Sequence, residues 1–192
     1  MSRAAADAPR VEVRSRAELR EWLAARHAEA GSVWLVHWRK GTAHHVPFGD
    51  LVSELLCWGW VDSVPRSVDA ERSAHLISPR RPGSAWSAVN KAKVAEARAS
   101  GAMTPAGEAA VAAAVASGTW TFLDDVERCE VPEDLAAALG DARAAWDALP
   151  RSVRRGTLEW IKTAKGARTR ARRVEGTARN AAAGRRPPPF ER

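Results

Sequence analysis

At Gly59 the apolar pattern of this chain changes period, from the spacing of a helix to the spacing of a strand. Behind Pro47, Leu51, Leu55 and Trp58 recur on one helical face, and Gly59 fits the position just past a helix end. From Trp60 to Val64 the residues read as a strand. Ser73–Ser78 reads as a second, across turn-forming residues between Pro65 and Ala70. Upstream, Val33–Trp38 alternates, with Val33, Leu35 and His37 on one face and Trp34, Val36 and Trp38 on the other. A sheet so short has to be covered by helices. The pattern therefore predicts an α+β fold: a small antiparallel three-stranded sheet packed by helices over 15–27 and 48–58, then a C-terminal helical module.

Punctuation along the chain sets the expected organisation. Ser15 with Glu18 forms a capping box ahead of Leu19, Trp22 and Leu23. Thr104-Pro105 is an N-cap and N1 pair opening an Ala/Val-rich helix that Gly118 closes. Thr119–Glu130 carries no readable period. A last helix has an apolar stripe of Ala171, Val174, Ala178 and Ala181, with Arg168, Arg172 and Arg179 opposite. The expected divisions are a disordered lead over 1–10, an α+β body over 11–125, a helical module over 126–184 and a disordered tail over 185–192.

The 192 residues are 45 % hydrophobic, enough for a buried core. Net charge is +7, unevenly placed: residues 151–192 hold 13 of the 30 Lys and Arg and three acids, a balance of +10. Such an end can meet an anionic partner, nucleic acid or lipid, through Lys165, Arg168, Arg172 and Arg179. Two cysteines without CxxC spacing do not make a disulfide framework or a zinc site. There is no secretory apolar run near Met1 and no stretch of roughly 20 apolar residues, so the expected location is the cytoplasm.

Between Glu54 and Asn90 the costly residues collect. Nine Trp stand against three Phe and no Tyr in the whole chain, and three of them, Trp58, Trp60 and Trp86, fall in this stretch. With Asp62, Arg80, Ser87 and Asn90 they suggest a Trp-walled polar pocket, because large rings supply stacking surface and buried polar groups need partners. Ligand-binding candidates are Trp60, Asp62, Arg80, Trp86, Ser87 and Asn90. Asp62 and Arg80 also have a plain structural reading, as an ion pair locking the strand ends. Weaker catalytic candidates are Cys57, Glu54 and Asp62, since Glu54 and Cys57 share a helix face and a cation near Cys57 would favour its thiolate. The alternative is a buried, inert Cys. Ser87 sits in no GxSxG elbow, and His44-His45 lacks further residues at ligand spacing, so no metal or cofactor is expected.

Several motifs in order resemble a known family. They are Cys57-x-Gly59-Trp60-x-Asp62, Pro79-Arg80, Trp86-Ser87-x-x-Asn90 and Gly101-x-Met103-Thr104-Pro105-x-Gly107. Farther on come Val131-Pro132-x-Asp134-Leu135, Trp160-Ile161-x-x-Ala164-Lys165 and Thr169-Arg170-x-x-Arg173. Together, over roughly residues 12–183, they resemble the YdeI/OmpD-associated, or bacteriocin-protection, proteins. Departures are the absence of Tyr, Pro47-Phe48 at a helix start, and Trp58 and Ala102 in place of Phe and a larger side chain. The resemblance implies protection against antimicrobial peptides and brings no reaction with it. The expected function is a bacterial stress or antimicrobial-protection protein that binds a small or peptidic ligand in the Trp-walled pocket. The alternatives are an enzyme using Cys57, Glu54 and Asp62, and a weak nucleic-acid or membrane-surface binder.

Overall fold

A computed structural model describes residues 8–191. The chain folds as two compact units, the first running to Thr121 and the second starting at Phe122. The first contains β1 (Arg10–Glu12), α1 (Arg16–Arg26), β2 (Val33–Trp38), α2 (Phe48–Cys57), β3 (Trp60–Ser67), β4 (Arg72–Pro79), α3 (Ala88–Ala99) and α4 (Pro105–Ala116).

Among the described residues the sheet is four-stranded and mixed, in the order β1-β2-β4-β3. The expectation of three antiparallel strands is corrected at its edge. β1 pairs parallel with β2, Val11 opposite Leu35, and Trp34 N–H donates to the Pro9 carbonyl at 2.8 Å. Arg10-Val11-Glu12 sets one apolar residue between two charged ones, too short a run to read as a strand. These residues form a strand because the open edge of β2 needs hydrogen-bond partners. The expected lead over 1–10 lies outside the described residues through Asp7, and Arg10 already belongs to β1. β3 also outruns its expected end: Pro65 and Arg66 lie in the strand, paired with His75 and Ala74, beyond a register shift between Asp62 and Pro65. Pro is tolerated there because β3 is an edge strand and gives up no ladder bond.

Both faces of β2 are buried, which is why all of its residues but His37 are apolar. Val33 and Leu35 join Leu19 and Leu23 of α1, Leu51 and Leu55 of α2, Trp60 and Ile77 in one core. Trp34, Val36 and Ala74 form a second cluster on the opposite face, where the Arg66 guanidinium stacks 3.7 Å over the Trp34 ring. A third cluster joins Leu56 of α2, Val94 of α3 and Val111 and Ala114 of α4 with Trp86, which lies just before α3. The α2–β3 junction turns on Gly59, at φ +71°, a backbone state that only glycine adopts without strain. There α4 comes close. The Thr104 hydroxyl donates to the Cys57 carbonyl at 2.6 Å and accepts from Gly107 N–H at 3.3 Å, so the α4 cap is welded to the α2 end.

The second unit holds the one-turn α5 (Asp124–Glu127), α6 (Glu133–Leu139), a 3₁₀ turn at Gly140–Ala142, α7 (Arg143–Asp147), α8 (Arg151–Lys162) and α9 (Ala167–Ala182). Its core includes Leu123, Val126, Leu135, Leu139, Trp146, Leu158, Ile161 and Val174. Val174, Ala178 and Ala181 are buried while Arg168, Arg172 and Arg179 are exposed, and Ala171 of the same stripe is exposed as well. Residues 185–191, read from sequence as disordered, come back onto α8 and α9. Pro187 is buried, Asn180 Nδ2 donates to the Arg186 carbonyl at 2.8 Å, and the Phe190 ring fills the space a side chain at Gly156 would need.

Candidate functional site

Three polar arrangements in the first unit are built rather than incidental. The first is centred on Glu54, whose carboxylate is 1 % exposed although it faces no apolar wall alone. Arg16 Nε reaches one oxygen at 2.8 Å and Arg20 Nη1 the other at 2.7 Å, while Trp58 Nε1 donates to the latter at 3.3 Å. Arg20 also ties its Nη2 to the Ala102 carbonyl at 3.1 Å. Arg16 and Arg20 stand four residues apart on α1, so one helix face presents both to one carboxylate. Both carboxylate oxygens of Glu54 are thus engaged by side-chain donors, which suits a structural acid better than a free one. Cys57 lies at 0 % exposure in the same region. Burial, and next the Glu54 charge, push its thiol up, with Arg20 and Arg16 pulling the other way. A thiol held protonated and out of water is a poor nucleophile.

The second arrangement is an imidazole pair on the sheet. His37 Nε2 lies 3.0 Å from His75 Nδ1, and the Phe48 ring covers His75 with centroids 3.8 Å apart. Burial pushes His37 below its usual value, and the charge of His75 adds to this; burial lowers His75 too, against the pull of Asp62. The unfolded chain therefore takes these protons more readily than the folded one. Stability from the pair is complete above the unfolded value of about 6.5 and is lost as pH falls through the folded values. Melting temperature should accordingly drop between pH 7 and 5. The double variant His37→Leu, His75→Leu should flatten that drop; an unchanged slope would remove the pair from the acid response.

The third arrangement is a concavity of about 140 Å³ lined by Arg80, Arg81, Ser84, Trp86, Ala113 and Thr119, among others. Arg80 N–H closes onto the Gly59 carbonyl at 2.9 Å as β4 ends, and the following turn brings Trp86, 1 % exposed, beneath it. The guanidinium stacks on the Trp86 ring at 3.7 Å, and its Nη1 donates to the Ala85 carbonyl at 3.2 Å. Trp120 also packs against Trp86, tilted, with centroids 5.0 Å apart. Among the described residues no carboxylate comes within 4 Å of Arg80, and its buried Nε has no hydrogen-bond partner. Burial lowers its pKa to about 10, opposed by the field of Asp62, so it stays a cation at neutral pH.

The six sequence candidates are thus distributed. Arg80 and Trp86 meet in the concavity. Trp60 is 1 % exposed and belongs to the core with α1 and α2, edge-on to Trp22 at 5.6 Å. Asp62 is half-buried opposite Ile77 on β4 and reaches Arg80 only through its field. Ser87 caps α3, its hydroxyl accepting from Asn90 N–H at 3.3 Å. Neither Ser87 nor Asn90 lines the concavity. Thr119 and Trp120 come from the segment without a readable period, where only the Trp signalled a packing role, and Ser117 is the C-cap of α4 just before it. In the second unit a larger groove of about 660 Å³ runs beside α9, but Arg170 pairs with Asp134 at 2.7 Å and Arg179 with Glu175 at 2.8 Å along it. Its lining charges are matched with each other, unlike Arg80. No group of three or more His, Cys, Asp or Glu able to hold a metal is found among the described residues.

Residues 11–110, slightly over half of the chain, match the family model described as a domain of unknown function, DUF8412. The chain belongs to the DUF8412 family. Residues 128–184 match the model described as Bacteriocin-protection, YdeI or OmpD-Associated, so the resemblance read from the later motifs is shown in that module. The DUF8412 region contains all three polar arrangements except the α4 end and the 117–120 wall of the third. No curated protein and no solved structure matches the chain. No described helix is long and apolar enough to cross a membrane.

Proposed function

We propose that this DUF8412 protein serves in bacteriocin protection by binding a small or peptidic ligand, with the concavity at Arg80 and Trp86 as the binding site. The observation that carries the reading is the state of Arg80: a partly buried cation, its Nε out of water, stacked on a ring and without an ion-pair partner among the described residues, beside an open cavity. Burying an unmatched charge is costly, and an incoming ligand can relieve that cost. The C-terminal module, by its family, supplies the link to bacteriocins. Two unpaired cysteines suit a reducing compartment, and we place the protein in the cytoplasm. A strain made sensitive to a bacteriocin and supplied with this chain should survive a dose that kills the control. Arg80→Ala and Trp86→Phe should lose most of that protection with melting temperatures within a few degrees of wild type. Full protection by both variants would sink the reading.

A second reading rests on Lys165, Arg168 and Arg172, which are exposed and form no ion pair among the described residues, whereas neighbouring Lys162 and Arg170 do. Binding through such a face is electrostatic, so affinity for random-sequence duplex should be weak, on the order of 10⁻⁴–10⁻⁶ M at physiological salt, and fall steeply as salt rises. The triple alanine variant should flatten the salt dependence. Tight binding that persists at high salt would make nucleic acid the principal partner.

A further inference from the structure

The Arg80 concavity has a chemistry narrow enough to name the group it takes. We infer that it binds a carboxylate, an inference that rests on the concavity being the ligand site. The guanidinium is held before any ligand arrives, by the Trp86 ring below it and the Ala85 carbonyl at Nη1. A pre-positioned, weakly hydrated, planar cation is suited to a planar oxyanion.

The remaining donors favour two oxygens over three or four. The Ser117 and Thr119 hydroxyls are engaged with the Ala114 carbonyl and with each other at 3.0–3.3 Å. Side-chain donors that remain on the lining are Arg80, the exposed Arg81 and the Ser84 hydroxyl. A phosphate carries roughly −1.5 to −2 at neutral pH and asks for more donors and more cation. Asp62 already imposes a negative field on Arg80 and would oppose the second charge. A volume of about 140 Å³ also suits a single carboxylate with a short stem, such as an acetate or the end of a peptide.

The test is a titration of the full chain followed by the indole N–H resonances, with Trp86 assigned through Trp86→Phe. The probes are acetate, N-acetylglycine, N-acetylglycinamide and inorganic phosphate. Acetate and N-acetylglycine should shift the Trp86 resonance saturably, and the neutral amide should not. Tighter binding of N-acetylglycine than of acetate points to a peptide C-terminus, and equal binding to a free small acid. Arg80→Gln should weaken N-acetylglycine at least tenfold. Should Arg80→Gln fail to fold, Ala113→Glu serves instead: Ala113 is an exposed helical position on the lining, and a carboxylate tethered there should compete the probe out. Binding of the amide equal to the acid overturns the carboxylate inference while leaving the concavity a ligand site. Phosphate binding tighter than either acid overturns it in favour of phosphate. No shift with any probe overturns both the inference and the site beneath it.

Discussion

Gly107→Ala should destabilise the first unit by about 3 kcal/mol in urea unfolding, the upper part of what overpacking costs. A Cβ at Gly107 would run into the Cys57 carbonyl oxygen, with the carbonyl carbon at 2.7 Å and the Met103 methyl at 2.8 Å. Two of those three atoms are backbone and cannot rotate away. The same carbonyl is held in place by the Thr104 hydroxyl, so α4 would have to move off α2 and take that bond with it. Gly49→Ala is the matched control. A Cβ there meets only the end of Lys93, at 3.6 Å, and Ala is the better helix former by up to about 1 kcal/mol, so this variant should be neutral or stabilising. If Gly107→Ala melts within a degree or two of wild type, the α2–α4 contact is softer than its geometry.

Glu54→Gln is expected to cost about 2–3 kcal/mol, the range for losing charge-assisted hydrogen bonds to a buried group. The amide nitrogen of Gln would face Arg16, Arg20 or Trp58, all of them donors. The loss stays below that of a fully buried pair because Arg16 and Arg20 are 45 % and 39 % exposed and can turn to water. Arg16→Ala and Arg20→Ala should each cost less than Glu54→Gln, and the double variant less than their sum, since both act on one carboxylate. Urea denaturation of the four proteins measures this; additive arginine losses would mean that the carboxylate does not couple them.

The legible parts of this molecule were those whose signal is local. The change of period at Gly59, the Thr104-Pro105 cap and the faces of β2 each follow from neighbouring residues, and the helices over α1 and α2 cover the sheet as their stripes require. β1 was illegible because three residues become a strand only when an open edge receives them. The end of β3 was missed because Pro65 signals a turn unless its strand is known to lie at an edge. At the candidate site, Arg80 and Trp86 were readable as costly residues, but their stacking depends on the turn between them. Glu54 drew notice as a possible acid, whereas its ties to Arg16 and Arg20 span 38 and 34 residues that no period connects. Trp60 and Asp62 share the motif with Arg80 without sharing its surface.

The two outer strands of the sheet bear on how these molecules meet one another in a crowded cell. β1 is only three residues long, and β3 carries a register shift in its pairing with β4 and, beside it, Pro65, which has no N–H to offer. Among the described residues, a second sheet seeking to extend this one finds no long uninterrupted run of donors and acceptors on either side. Edge-to-edge association, the usual route from a small open sheet to fibres, is thereby blunted at both ends without a charged residue being spent inside the core.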